Sequence, residues 1–310
     1  MSKLYKSIVV LAALQSVNGV AATLDGTKAL FCSGVQPRPA VVGTEDRKNI
    51  KAHFGHSGSV VTNVYSEVEF QVELAASGAA GVAPKWGHLM RACAMSETIT
   101  PTTSVVYAPV TSNVTDQLTI EVFIDGIRHR MIDAKGTVSV ELKSKSISLL
   151  TFKFTGLYVA AADAPMPTGV DYSDFTDPVP VNFTNTPTWT LHGESGALES
   201  VSIDWANQVS YRNLIGQQGI RVTDRLPTGN VLLEMGAIAD KNWFDSVIKA
   251  DLGEFNIVHG TVAGHIIEID APKVQLSEPS YSDSDGVLMI GMKTMYKPDL
   301  GNDELILTLR

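Results

Sequence analysis

The chain has 310 residues, 44% hydrophobic and 18% charged, which is enough apolar material for one large domain or two of ordinary size. With 24 Lys and Arg against 33 Asp and Glu, its net charge is −9, so tight nucleic-acid binding is disfavoured, although brief or repulsive contact with DNA is not. The two cysteines, Cys32 and Cys93, make no disulfide framework and read as reduced thiols of a protein made in a cytoplasm.

At the N-terminus, Lys3 and Lys6 precede the apolar run from Ile8 to Leu14, and Val20-Ala21-Ala22 would suit a signal peptidase. The run stops at Gln15, with Ser16 and Asn18 close behind, which weakens that reading. No stretch approaches the roughly 20 apolar residues that a membrane helix needs. Glu67 to Leu74 alternates acidic or amide residues with Val68, Phe70, Val72 and Leu74, the pattern of a half-buried strand. Pro84 to Met95 spaces Trp86, Leu89, Met90 and Cys93 for one face of a helix. Residues 97–115 are rich in Thr, Ser and Pro and read as a surface loop. Strands are then predicted at Leu118 to Val122 and Thr137 to Leu142. Pro165, Pro167, Pro178, Pro180 and Pro187 mark residues 161–187 as an extended connector. Beyond it, Ser200 to Trp205 and Val231 to Leu233 read as strands. Asp240 to Ala250 reads as a helix that places Trp243, Phe244, Val247 and Ile248 on one face.

The segments on either side of the connector resemble each other in order. Val61-Thr62-Asn63 leads to Glu73-Leu74, and Val222-Thr223-Asp224 leads to Glu234-Met235 at the same spacing. Each is followed by a tryptophan-led helix, then by an Ile-Asp-Ala element, Ile132-Asp133-Ala134 or Ile269-Asp270-Ala271. Lys153 to Tyr158 and Lys293 to Tyr296 close the two halves. The expectation is a tandem duplication: a first domain at 1–160, the connector at 161–187 and a second domain at 188–310.

Catalytic chemistry is hard to assemble from these residues. Gly193-Glu194-Ser195-Gly196-Ala197 is similar to a nucleophile elbow, the basis for a hydrolase reading, but the residues after Ser195 alternate like a strand where the elbow needs a helix. His53 and His56 stand three apart with no further ligand at metal spacing. Asn113-Val114-Thr115 and Asn182-Phe183-Thr184 match the glycosylation triplet, which carries no meaning in a bacterial cytoplasm. The expectation is no catalytic residue, no cofactor and no metal.

Several stretches carry a resemblance to a known family. They are Glu67 to Thr98, Phe152 to Tyr158 with Ala164-Pro165-Met166-Pro167, Pro279 to Gly286, Gly301 to Leu305, and the opening segment Leu11 to Leu30. Together they resemble the major tail tube proteins of tailed bacteriophages, particularly those of long-tailed, Mu-like phages, over nearly the whole chain. The chain has Gln15 and Val17 where members often carry Glu and Tyr. The resemblance implies a mainly β fold with few helices, a β-sandwich flanked by a helix, whose sheets join those of neighbours into a closed inner barrel. It implies stacked rings in the virion tail, assembled in the host bacterial cytoplasm. It also implies partnership with a tape-measure protein and with tail terminator and distal tail proteins, transient passage of DNA, and no membrane. Six tube domains per ring is the usual number. Two domains per chain then favour a homotrimeric, pseudo-sixfold ring, with a homohexamer bearing a decorative second domain as the alternative.

Within that scheme Glu67, Glu69, Gln71 and Glu73 are candidates to face the lumen, against the plainer reading of a solvated outer face. Glu45, Asp46, Arg47 and Lys48, in the polar stretch starting at Gly43, are candidates for a ring-to-ring loop, against an ordinary turn. Trp86 and Trp243 are expected as equivalent core anchors. The rival class is a secreted or surface β-sandwich binding module, which the signal-like N-terminus would suit.

Overall fold

The alternating sequence folds mainly into β-strands in this computed structural model, which describes residues 3–112 and 115–310. Asn113 and Val114, in the first glycosylation triplet and at the end of the expected loop, lie outside the described residues. The first half contains β1 (Ile8–Leu14), β2 (Cys32–Asp46), β3 (Ser59–Glu73) and α1 (Gly87–Ala92). It continues with β4 (Met95–Thr100), β5 (Ser104–Pro109), β6 (Leu118–Ile124), β7 (Ile127–Lys143) and β8 (Leu149–Asp163). The second half opens with β9 (Thr188–Leu191), β10 (Leu198–Asp204), β11 (Asn207–Leu214), β12 (Gln217–Arg225) and β13 (Thr228–Glu234). It ends with α2 (Trp243–Ile248), β14 (Leu252–His259), β15 (Ile267–Ser284), β16 (Val287–Lys297) and β17 (Ile306–Leu309).

One sheet follows the order β2-β3-β8-β7-β10-β13-β16-β15-β17-β5-β4, with β1 and β6 branching from β7, and β9 and β14 from β15. β11 and β12 form a separate two-stranded hairpin. The paired strands are antiparallel, and among the described residues no barrel closes within one chain. The arrangement is a β-sandwich. Val10 and Ala12 of β1 and Leu118, Ile120 and Val122 of β6 share a core with Val68, Phe70 and Val72 of β3 and Phe152 and Phe154 of β8. The same core continues through Val201, Ile203, Val231, Leu233, Phe255 and Ile290 of the second half.

The β3 alternation stands as read: Val68, Phe70, Val72 and the following Leu74 are buried. Both helices form, shorter than their patterns suggest. Each stops where an alanine, Ala94 or Ala250, turns into the left-handed region at φ 59° or 54°. The signal-like run is β1, paired with β6 along its whole length.

Two expectations need correction. Residues 97–109 are not a surface loop: Met95 to Pro109 form the β4–β5 hairpin, whose Val105 and Tyr107 are fully buried against β17. Gly43, Thr44, Glu45 and Asp46 are not a turn either, because they extend β2 opposite Asn63, Val61, Val60 and Ser59. Only Arg47 and Lys48 enter the exposed tip, closed by an Arg47 N–H bond to the Gly58 carbonyl at 3.0 Å. β8 runs to Asp163, and the proline-rich stretch follows it. Val181 then bridges back to Ser146 and is buried.

Candidate functional site

The face of the long sheet that points away from the core is polar, and it runs unbroken across both halves. Four rungs cross the first half in register, among them Gln71–Thr151–Ser139 and Glu69–Lys153–Thr137 along β3, β8 and β7. The second half continues them, with Asn230–Lys293–Ser277 on the rung that answers Glu69–Lys153–Thr137. A shallow trough of about 900 Å³ crosses the junction, lined by side chains such as Thr151, Ser139, Glu141, Ser202, Asn230 and Lys293. Small hydroxyls and amides dominate it.

The four lumen candidates lie together on this face, each half-exposed. Their charge is less concentrated than the bare strand suggests. Glu67 pairs with Arg38 at 3.4 Å and Glu69 with Lys153 at 3.3 Å. Of the corresponding β13 positions, Thr228, Asn230 and Leu232 carry no acid and only Glu234, which answers Glu73, does. Exposed pairs of this kind contribute about 0–1 kcal/mol, so they tune the surface rather than hold the fold.

What makes the face continuous is a joint that the sequence reading missed. The C-terminal end of β7 pairs with β10 in the register Ser139↔Asp204, Val140↔Ile203, Glu141↔Ser202, Leu142↔Val201 and Lys143↔Ser200. Just beyond it, the buried Asn207 amide donates to the Cys93 carbonyl at 2.6 Å and to the Gly136 carbonyl at 3.1 Å. A second joint lies at the other end, where β5 pairs with β17. There Arg225 pairs with the buried Glu304 and donates to the Val110 carbonyl and to Asn302 Oδ1, each at 3.2 Å. Tyr65 of β3 and Tyr211 of β11 stack at 5.2 Å, and the β11–β12 hairpin otherwise lies against β7 and β8. The β2–β3 and β11–β12 tips carry fully exposed apolar residues, Ile50 and Phe54 on one and Ile215 on the other.

Both tryptophans are buried, with different polar partners. Trp86, just before α1, is buried and donates Nε1–H to the Ala75 carbonyl at 2.8 Å. Trp243, opening α2, is buried in the shared core, with the Lys241 ammonium 5.4 Å from its ring centre.

The enzymatic fragments do not assemble. After Ser195 the chain enters β10, so the helix that an elbow needs is replaced by a strand. His53 and His56 sit on the β2–β3 tip, where His56 Nδ1 accepts the Gly58 N–H at 2.9 Å. Among the described residues no group of three or more His, Cys, Asp or Glu is placed to hold a metal ion. Burial pushes the Cys32 thiol up to about 12 and the Cys93 thiol well above its usual value.

Residues 6–288 match the family model described as phage tail tube protein. No match was found among curated proteins.

Proposed function

We propose, from the premise that this chain belongs to the phage tail tube protein family, that the polar trough lines the bore of the tube and that three chains close each ring. A structural subunit of the virion tail, the chain assembles with itself into a tube and meets other tail proteins. The observation that carries the finer reading is the β7–β10 joint, which puts both halves into one wall with one polar face. Each chain then offers eight wall strands, β2-β3-β8-β7-β10-β13-β16-β15. Three chains supply roughly 24 strands, which at about 4.8 Å spacing and about 40° tilt close a wall about 48 Å across at the backbone. That leaves room for a DNA duplex. Six chains would double the width, which favours the trimer. The same joint argues against a decorative second domain, and the matched rungs favour a tandem duplication with its connector near 161–187.

In this reading the bore holds the tape-measure protein during assembly and conducts the genome on ejection, in a tail of the long, Mu-like type. Tail terminator and distal tail proteins cap the two ends, and assembly takes place in the host bacterial cytoplasm. The β2–β3 tip, including Arg47 and Lys48, and the β11–β12 tip reach toward the adjacent ring. A secreted binding module fits less well, because removing the residues up to Ala22 would strip β1 from the core.

Native mass spectrometry of a single ring, with electron microscopy of the same sample, tests the ring. Three chains per ring are expected, and a count of six would sink the trimer. The bore is tested by changing Glu67, Glu69 and Glu73 together to Lys in phage. DNA carries one charge per roughly 1.7 Å of duplex axis, so the added lysines, unpaired beside Arg38 and Lys153, hold phosphates. Tubes should still form while ejection slows, most at low salt, where screening within about 8–10 Å is weaker. Ejection rates unchanged at every salt concentration would move this face to the outside.

A further inference from the structure

Within one chain, β2 and β10 occupy the same place, each the outermost strand of a four-strand rung system, and so do β7 and β15. The rung Cys32–Val72–Leu150–Val140 of the first half corresponds to Leu198–Leu233–Ile290–Tyr281 of the second. The next rung, Ser33–Gln71–Thr151–Ser139, corresponds to Ser200–Leu232–Gly291–Ser280. β10 is joined on its outer edge to the C-terminal end of β7, whereas β2 pairs only with β3 among the described residues. From Leu276 to Ser284, β15 pairs only with β16 among the described residues. The chain therefore presents one copy of the joint made and its two halves unmade, one at each end of the wall.

We infer that the outer edge of β2 in one copy adds to the β15 end, residues 280–284, of the next copy, in the register of the internal β7–β10 joint. Carried across the matched rungs, that register sets Ser280 opposite Arg38, Tyr281 opposite Pro37, Ser282 opposite Gln36 and Ser284 opposite Ser33. This rests on the ring reading above and names which edges close it.

Three features of the edges fit a second copy as occupant. Tyr281 stands where buried Val140 stands in the internal joint, yet it is 56% exposed, its ring meeting that of Phe244 edge-on at 5.9 Å. A cleft of about 590 Å³ lies along the β2 edge, lined by apolar side chains including Ile8, Val10, Leu30, Phe31 and Val35. Phe31, on its rim, is half-exposed. β2 also carries Pro37 and Pro39, which sheets tolerate on edge strands and which discourage indiscriminate pairing. The Tyr5 hydroxyl donates to the Val35 carbonyl on this edge at 3.3 Å. Sheet extension between identical subunits satisfies the free backbone groups of both edges at once, apart from the N–H groups that Pro37 and Pro39 lack, which a flat side-chain contact would not.

Directly opposed residues of an antiparallel pair bring their Cβ atoms within about 4.5–5.5 Å, close enough for a disulfide after a small adjustment. The test is the full-length double variant Gln36→Cys/Ser282→Cys, assembled, oxidised and run on a denaturing gel without reductant. Most of the chain should shift to two- and three-chain bands, and the ladder should stop at three. Each single variant should stay at one chain, which controls for Cys32 and Cys93. Val35→Cys/Ser282→Cys, which puts one thiol on the opposite face, should stay there too. Ser33→Cys/Ser284→Cys is a second pair that should link, in case the first disturbs folding. Tubes that form normally without a link from either pair would overturn this joint and leave the tube reading standing, as would equal linking through Val35. A wild-type protein that forms neither rings nor tubes would overturn the tube reading itself.

Discussion

Trp86→Ala lowers the stability of the chain by about 3–5 kcal/mol, the range for deleting a buried indole, and stops ring formation. The side chain is 1% exposed and does three things at once. It fills the space beneath α1, its Nε1–H satisfies the Ala75 carbonyl, and its ring lies 5.9 Å from that of Tyr107. Truncation leaves a cavity and an unpaired buried acceptor, and it loosens Tyr107 on β5, the strand that meets β17. Trp243→Ala should fall at the lower end of the same range, because α2 is less enclosed and ends on the exposed Ile248. Urea unfolding checks both: the midpoint should drop at unchanged m-value. A loss below about 1 kcal/mol for Trp86→Ala would show that α1 is held by something other than its tryptophan.

The parts of the fold legible in the sequence were those whose burial follows from a local pattern. Glu67 to Leu74 alternates because one face of β3 meets the core and the other meets solvent, and that contrast is written in eight consecutive residues. The two tryptophan helices were legible for the same reason. β1 misleads because it is covered on both sides. Val10 and Ala12 face the main core, while Leu11 packs with Ala29 and Phe123, so a strand reads as a continuous apolar run. β4–β5 was hidden for the opposite reason. Its Val105 and Tyr107 are buried by β17, some two hundred residues away, and the Thr, Ser and Pro around them look like loop. The Val105-Val106-Tyr107 run was the available signal. Gly43 to Asp46 extend a hairpin beyond the sandwich with much of both faces exposed, so they carry no alternation to read. The β7–β10 joint had no local signature, because its two strands come from opposite sides of the connector.

Glu304→Ala separates the far joint of the two halves, and the expected cost is about 3–5 kcal/mol, the range for removing one partner of a buried ion pair. Glu304 is 4% exposed, and the Arg225 side chain that it pairs with is 11% exposed. Arg225 leaves β12, and its guanidinium reaches both Val110, just past β5, and Asn302, just before β17. Without the carboxylate, the guanidinium is left charged in a largely buried site, with only neutral acceptors. The chain relieves this by opening the segment that brings β5 onto β17. The consequence is local before it is global: the Val105 to Tyr107 amides should exchange with solvent faster than those of β3, which does not depend on this clasp. Glu304→Leu combined with Arg225→Met removes both charges and should recover most of the loss, since an apolar replacement of a buried pair is often neutral or better. Hydrogen exchange and urea unfolding on the single and double variants give the readout. A single variant that loses less than about 1 kcal/mol and keeps β5 protected would mean that strand pairing alone holds this joint. A double variant as unstable as the single would mean that the packing of the long side chains, rather than their charge, was what Glu304 supplied.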